Sequence, residues 1–177
     1  GGMNPFDLSN KVICVTGASS GIGRQCAVSC SRMGATVVLL ARNEQRLHET
    51  LSIMDNPDKH VIIPVDLTEY ATVELVVKNI VSQVGRISGV LHCAGISTTL
   101  PLKLVTPEKL AEFFQANVFS AYNLTREVCK MGNFSKEGGS IVFFSSVMGK
   151  VGENGKSLYG MTKGALVSGT RSLACEL

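Results

Sequence analysis

Tryptophan is absent from this 177-residue chain, and its aromatic residues amount to 3 Tyr and 7 Phe. A stacking platform for nucleic-acid bases needs more than that. Charge is also sparse: 17 basic residues against 14 acidic ones leave a formal +3, and no run of five basic residues occurs. A phosphate-tracking nucleic-acid binder is therefore not expected. No apolar stretch reaches 18 residues, so no membrane span is expected. The opening "GGMNPFDLSN" lacks the basic-then-apolar order of a secretory signal. Six cysteines are scattered through apolar segments, with no C-x-x-C pair and no His at zinc spacing. They read as buried thiols of a reducing, cytoplasmic compartment, with no metal.

What is present is rhythm. "KVICVTG" (11–17), "ATVVLLAR" (35–42), "HVIIPVD" (60–66), "ISGVLHCAG" (87–95) and "GSIVFFSS" (139–146) are short apolar runs. Between them lie helix-like stretches at 22–33, 43–54, 69–84 and from Thr106-Pro107 toward Met131, with a last one starting near Ser157. Asn43 suits a helix N-cap, and Pro107 a first helical turn. Strands that are apolar throughout, rather than alternately, are covered on both faces, as in a parallel α/β sheet. The expectation is a doubly wound parallel sheet of Rossmann type, with residues 1–177 as a single dinucleotide-binding and catalytic domain. The usual order of that fold has six strands, and five are legible here. The fifth would lie at a bare edge, so the domain is expected to be missing its C-terminal strands.

The turn "VTGASSGIG" joins the first strand to the first helix. Gly17, Gly21 and Gly23 permit a tight turn and leave the helix's free amides facing whatever lies above the sheet, which suits a pyrophosphate. The spacing is G-x-x-x-G-x-G, not G-x-G-x-x-G, and a glycine-rich turn with no ligand also fits it. At the end of the second strand, where an NAD site usually places an acid, stands Leu40-Ala41-Arg42. A guanidinium there suits a 2′-phosphate and favours NADP(H) over NAD, with Arg24 adding charge nearby. Arg42 as an ordinary solvated side chain is the other reading. Asp66 could accept from an adenine amino group, or cap the next helix through "DLTE".

Tyr159 and Lys163 in "SLYGMTKGAL" stand at i, i+4 and share a helical face. A phenol titrates at about 10, and an ammonium one turn away favours the phenolate. The pair fits a tuned general acid, and it equally fits a chance surface pair. Ser145 and Ser146 end the fifth strand, where a hydroxyl could hold a substrate carbonyl. Asn117 is a polar residue within an apolar helical stretch, either a satisfied core amide or a functional group.

With these elements in order, residues 9–177 resemble the short-chain dehydrogenase/reductase family, in its classical branch. "TGASSGIG" (16–23) is similar to that family's T-G-x-x-x-G-x-G motif, Asp66-Leu67 to its adenine-contacting pair, and "YGMTK" (159–163) to its Y-x-x-x-K motif. Ser146 precedes Tyr159 by 13 positions, the family separation, which selects it over Ser145. The resemblance implies four catalytic residues, Asn117, Ser146, Tyr159 and Lys163. It implies cofactor contacts from Gly17, Ser19, Ser20, Gly21, Ile22, Gly23, Arg42, Asp66, Leu67, Cys93, Ala94 and Gly95, and from Tyr159 and Lys163. The expected activity is hydride transfer between NADP(H) and a carbonyl or secondary alcohol, in the manner of 3-oxoacyl-carrier-protein reductases, by a homodimer or homotetramer. An NAD-dependent alcohol dehydrogenase and a non-catalytic nucleotide sensor are the alternatives. The sequence departs from the family's N-N-A-G at His92-Cys93-Ala94-Gly95.

Overall fold

The computed structural model describes residues 7–94, 106–114 and 118–143. Within them, five strands form one parallel sheet: β1 (Val12–Thr16), β2 (Thr36–Ala41), β3 (Val61–Pro64), β4 (Gly89–His92) and β5 (Ser140–Phe143). Their spatial order is β3-β2-β1-β4-β5. The helices are α1 (Gly21–Arg32), α2 (Glu44–Ser52), α3 (Tyr70–Val84), α4 (Pro107–Phe114) and α5 (Ser120–Val128). Where the sequence suggests one long helix from Pro107, the structure describes α4 and α5, and residues 115–117 between them are outside the described residues. A short 3-10 turn, Pro57–Lys59, was not legible as an element; it follows Asn56 in the left-handed region at φ 51°.

The strands are apolar throughout because side chains on both faces are buried. In β1 and β2, Cys14, Val38 and Leu40 point one way, into a cluster with Val73, Val77 and Ile80 of α3 and Leu124 and Val128 of α5. Val15, Val37 and Leu39 point the other way, toward Ala27 and Cys30 of α1 and Leu47 of α2. Each such aliphatic side chain contributes roughly 1.5–3 kcal/mol by leaving water. Two of the cysteines belong to these clusters. Burial pushes the Cys14 thiol up to about 12, and burial with the neighbouring Cys26 pushes Cys30 up to about 11. Both are inert packing groups, as the sequence suggested.

Chain progression reverses between β1 and β4, since β2 and β3 lie on one side of β1 and β4 and β5 on the other. In an open parallel sheet, this switch point opens a crevice at the carboxyl ends of the strands.

Candidate functional site

A cleft of about 1100 Å³ occupies that crevice. Its floor is the β1–α1 turn, where Gly17 has φ +62° and Gly21 φ +54°. A Cβ on Gly17 would stand 2.8 Å from the backbone of Ala94, and one on Gly23 would overlap the carbonyl oxygen of Gly17. These two glycines let the turn fold against the end of β4 and under its own helix. Gly21 is different, because a Cβ there would meet nothing within 4 Å among the described residues. Thr16 fixes the junction: its Oγ1 accepts from the amides of Cys93 at 3.0 Å and Ala94 at 3.1 Å.

Among the described residues, the N-terminus of α1 lies open. Ser20 is its N-cap, yet makes no side-chain cap bond, and the first turn carries no acid. An uncapped helix start leaves amide donors without partners and a partial positive charge. That set of donors fits the pyrophosphate of a dinucleotide, and Ser19, Ser20, Gly21, Ile22 and Gly23 all line the cleft.

The wall beyond the end of β2 is basic. Arg42, Asn43 and Arg46 line the cleft, with Leu40 and Ala41 beneath them. Asn43 caps α2 as expected, its Oδ1 accepting from the Arg46 amide at 3.0 Å. Arg46 was not singled out from sequence, although its position one turn after Arg42 was a usable signal. Arg24 behaves differently from the expectation. Its guanidinium donates to Ser19 O at 2.6 Å and to Thr50 Oγ1 at 2.9 Å, and pairs with Glu49 at 3.4 Å. It is therefore tied to the turn and to α2, and is not a loose charge beside the cleft.

Asp66 and Leu67 line the cleft after β3. The helix-capping role suggested by "DLTE" is not formed, because Glu69 is the N-cap of α3 and makes no side-chain cap bond. Asp66 Oδ1 instead accepts from the hydroxyl of Thr68 at 2.7 Å and its amide at 3.0 Å, closing a local turn. The Thr68 hydroxyl foremost, helped by its amide and the Arg42 charge, holds the Asp66 carboxyl below its usual range against the opposing effect of burial. One carboxylate oxygen is thus committed to the turn.

On the far side, Cys93 and Ala94 line the cleft, and so do Glu108 and Glu112 of α4 and Ser120 of α5. His92, where the family pattern has asparagine, is buried with Nε2 2.8 Å from Thr125 Oγ1 of α5. The departure thus supplies its own tie between sheet and helix. Asn117, Ser146, Tyr159, Lys163 and Gly95 lie outside the described residues. Among the described residues, no group of three or more His, Cys, Asp or Glu could hold a metal ion. No described helix is long and apolar enough to cross a membrane.

The family model described as short chain dehydrogenase matches residues 11–177. The chain belongs to this family. The short chain dehydrogenases are oxidoreductases that use nicotinamide cofactors on small-molecule substrates. An uncharacterized oxidoreductase of Escherichia coli K12, YciK, is 32% identical over 175 residues, covering 96% of this chain and 69% of that protein. The 3-oxoacyl-[acyl-carrier-protein] reductase FabG of Vibrio cholerae is 29% identical over 172 residues, covering 97% of this chain and 69% of that protein. A short chain dehydrogenase of Shigella flexneri solved in complex with NADP superposes with a TM-score of 0.83 at 31% identity, over 95% of this chain and 72% of that one.

Proposed function

We propose that this short chain dehydrogenase is an NADP(H)-dependent reductase of a carbonyl compound, or the corresponding alcohol dehydrogenase. The observation that carries the reading is Arg42. It is exposed, it lines the cleft just past β2, and no carboxylate stands there to hold a ribose 2′-hydroxyl. A planar guanidinium at that place suits a 2′-phosphate. The NADP complex of the Shigella flexneri relative supports the same choice.

The chain's own residues divide the work. The β1–α1 turn holds the pyrophosphate on backbone amides, Arg42 with Arg46 faces the 2′-phosphate, and Asp66 keeps one oxygen for the adenine amino group. Bound there, the nicotinamide cofactor supplies or accepts the hydride. Tyr159 gives a proton to the substrate oxygen or takes one from it. Lys163, four positions on in the sequence, favours the phenolate and so brings the tyrosine toward neutral pH. Ser146 donates to the substrate oxygen, and Asn117 holds a water that links Lys163 to solvent. The name of the Vibrio cholerae relative makes a 3-oxoacyl thioester the substrate class to try first. A homodimer or homotetramer fits the exposed aromatics Phe119, just before α5, and Tyr122 on it.

The test is Tyr159→Phe assayed with NADPH against a panel of 3-oxoacyl thioesters and simple ketones. Loss of turnover with NADPH binding intact is expected. Unchanged turnover would refute the tyrosine's role, and wild-type protein that binds NADPH but reduces nothing would favour a nucleotide sensor.

A further inference from the structure

The phosphate-binding turn is held from behind. Thr50 is fully buried on α2, a helix whose only other buried residue is Leu47. Its Oγ1 lies 2.7 Å from Ala18 O, closer than the 3.3 Å to Arg46 O in its own helix. The single hydroxyl proton therefore goes to Ala18. The same oxygen accepts from Arg24 Nε at 2.9 Å, while Arg24 Nη2 donates to Ser19 O at 2.6 Å. One relay, Arg24 to Thr50 to Ala18, and one direct bond, Arg24 to Ser19, thus grip two successive carbonyls of the turn.

Peptide geometry gives this grip a consequence. In a trans peptide the C=O of one residue and the N–H of the next point in opposite directions, and no peptide here is cis. Drawing the Ala18 and Ser19 carbonyls toward α2 turns the Ser19 and Ser20 amides the other way. Both residues line the cleft, and Arg24 does not.

We propose that Arg24 and Thr50 are positioning residues that orient the Ser19 and Ser20 amides of the phosphate-binding turn toward the dinucleotide. The proposal rests on the dinucleotide reading above and deepens it. It makes Arg24 a support of the turn, with no contact to phosphate. It also makes α2 a shared part, because the helix that begins beside Arg42 carries the hydroxyl that sets the turn.

The experiment titrates wild type, Arg24→Ala, Thr50→Val and Thr50→Ser with NADPH and with NADH at two salt concentrations, and follows thermal unfolding of each. Valine matches threonine in shape and lacks the hydroxyl, so Ala18 O and Arg24 Nε lose their partner. Arg24→Ala and Thr50→Val are expected to weaken both dinucleotides by the same factor, about tenfold for a hydrogen bond's worth of lost orientation. Thr50→Ser should bind as wild type does. The salt dependence should be unchanged in Arg24→Ala, because a phosphate ligand would lower it. Arg24 is partly exposed, so its alanine variant keeps the test open if Thr50→Val does not fold.

Lower unfolding temperatures with unchanged affinities would overturn the proposal and leave the pair merely structural. A loss confined to NADPH in Arg24→Ala would also overturn it, making Arg24 a 2′-phosphate ligand. Wild-type protein that binds neither dinucleotide would refute the underlying reading, and the proposal with it.

Discussion

Two helices start at the same edge of the sheet, and they start differently. The N-terminus of α1 has no side-chain cap and no acid in its first turn. That of α2 is capped by Asn43 and carries Glu44 in its first turn. A helix that satisfies its own first amides has little left for an anion, so α2 contributes side chains, Arg42 before it and Arg46 within it. A helix that leaves them open is built for an anion to complete. The difference is the one the proposed function uses, with pyrophosphate on α1 and the 2′-phosphate against the basic wall beside α2.

The most damaging way to break that contrast is to fill the turn. Gly17→Ala forces a side chain onto a positive φ and into the Ala94 backbone, and should weaken NADPH and NADH alike by about a hundredfold or more. Gly21→Ala, also at positive φ but facing open space, should cost only about 1–2 kcal/mol of stability. Calorimetric titration with both dinucleotides, beside thermal unfolding, separates the two variants. Arg42→Ala is next. It should weaken NADPH about 10–100-fold, since a hydrogen bond to a charged group contributes about 1.5–3 kcal/mol, and leave NADH nearly unchanged. Equal losses would remove Arg42 from the 2′-phosphate site.

A smaller effect concerns the two caps themselves and is read on the ligand-free protein. Asn43→Ala should cost about 1 kcal/mol of stability, whereas Ser20→Ala should cost almost none, because Ser20 makes no cap bond. Denaturant unfolding of the two variants reads this directly. The smallest expected effect is a pH dependence at His60. Its Nδ1 accepts from the Val37 amide at 3.0 Å, and Nε2 lies 2.7 Å from Asp55 O. Burial foremost, with the Lys59 charge, holds the His60 imidazole below its usual range against the pull of Asp55. Unfolded, the ring titrates at about 6.5, so its contribution is present above that pH and is lost as pH falls through the lower folded value. Unfolding temperature should fall between pH 7 and pH 5 more steeply in wild type than in His60→Gln.

The strands were legible because continuous apolar runs such as "ICV" and "VVLL" leave no solvent face, and parallel sheets are the common structure that buries both. The Asn43 cap was legible because a cap is local: donor and acceptor lie three residues apart. Where a role depends on a distant partner, the sequence alone is silent. Arg24 reads as a charge beside phosphates until Thr50, 26 positions away, shows which way it turns. His92 reads as a lost asparagine until Thr125 supplies its partner from α5. The cap reading of Asp66 failed for a nearer reason, since Thr68 donates to it two residues on and the helix starts later. Gly17, Ser19, Ser20, Gly21, Ile22 and Gly23, legible from the T-G-x-x-x-G-x-G motif, all line the cleft, because that motif encodes backbone geometry and little else.

The most direct test of the account is the ratio of dissociation constants for NADH and NADPH in the wild-type protein, measured by titration at one fixed salt concentration. A ratio above about 10, the discrimination that 1.4 kcal/mol of 2′-phosphate recognition supplies, is the predicted result. A ratio at or below unity, or no binding of either dinucleotide, would contradict it.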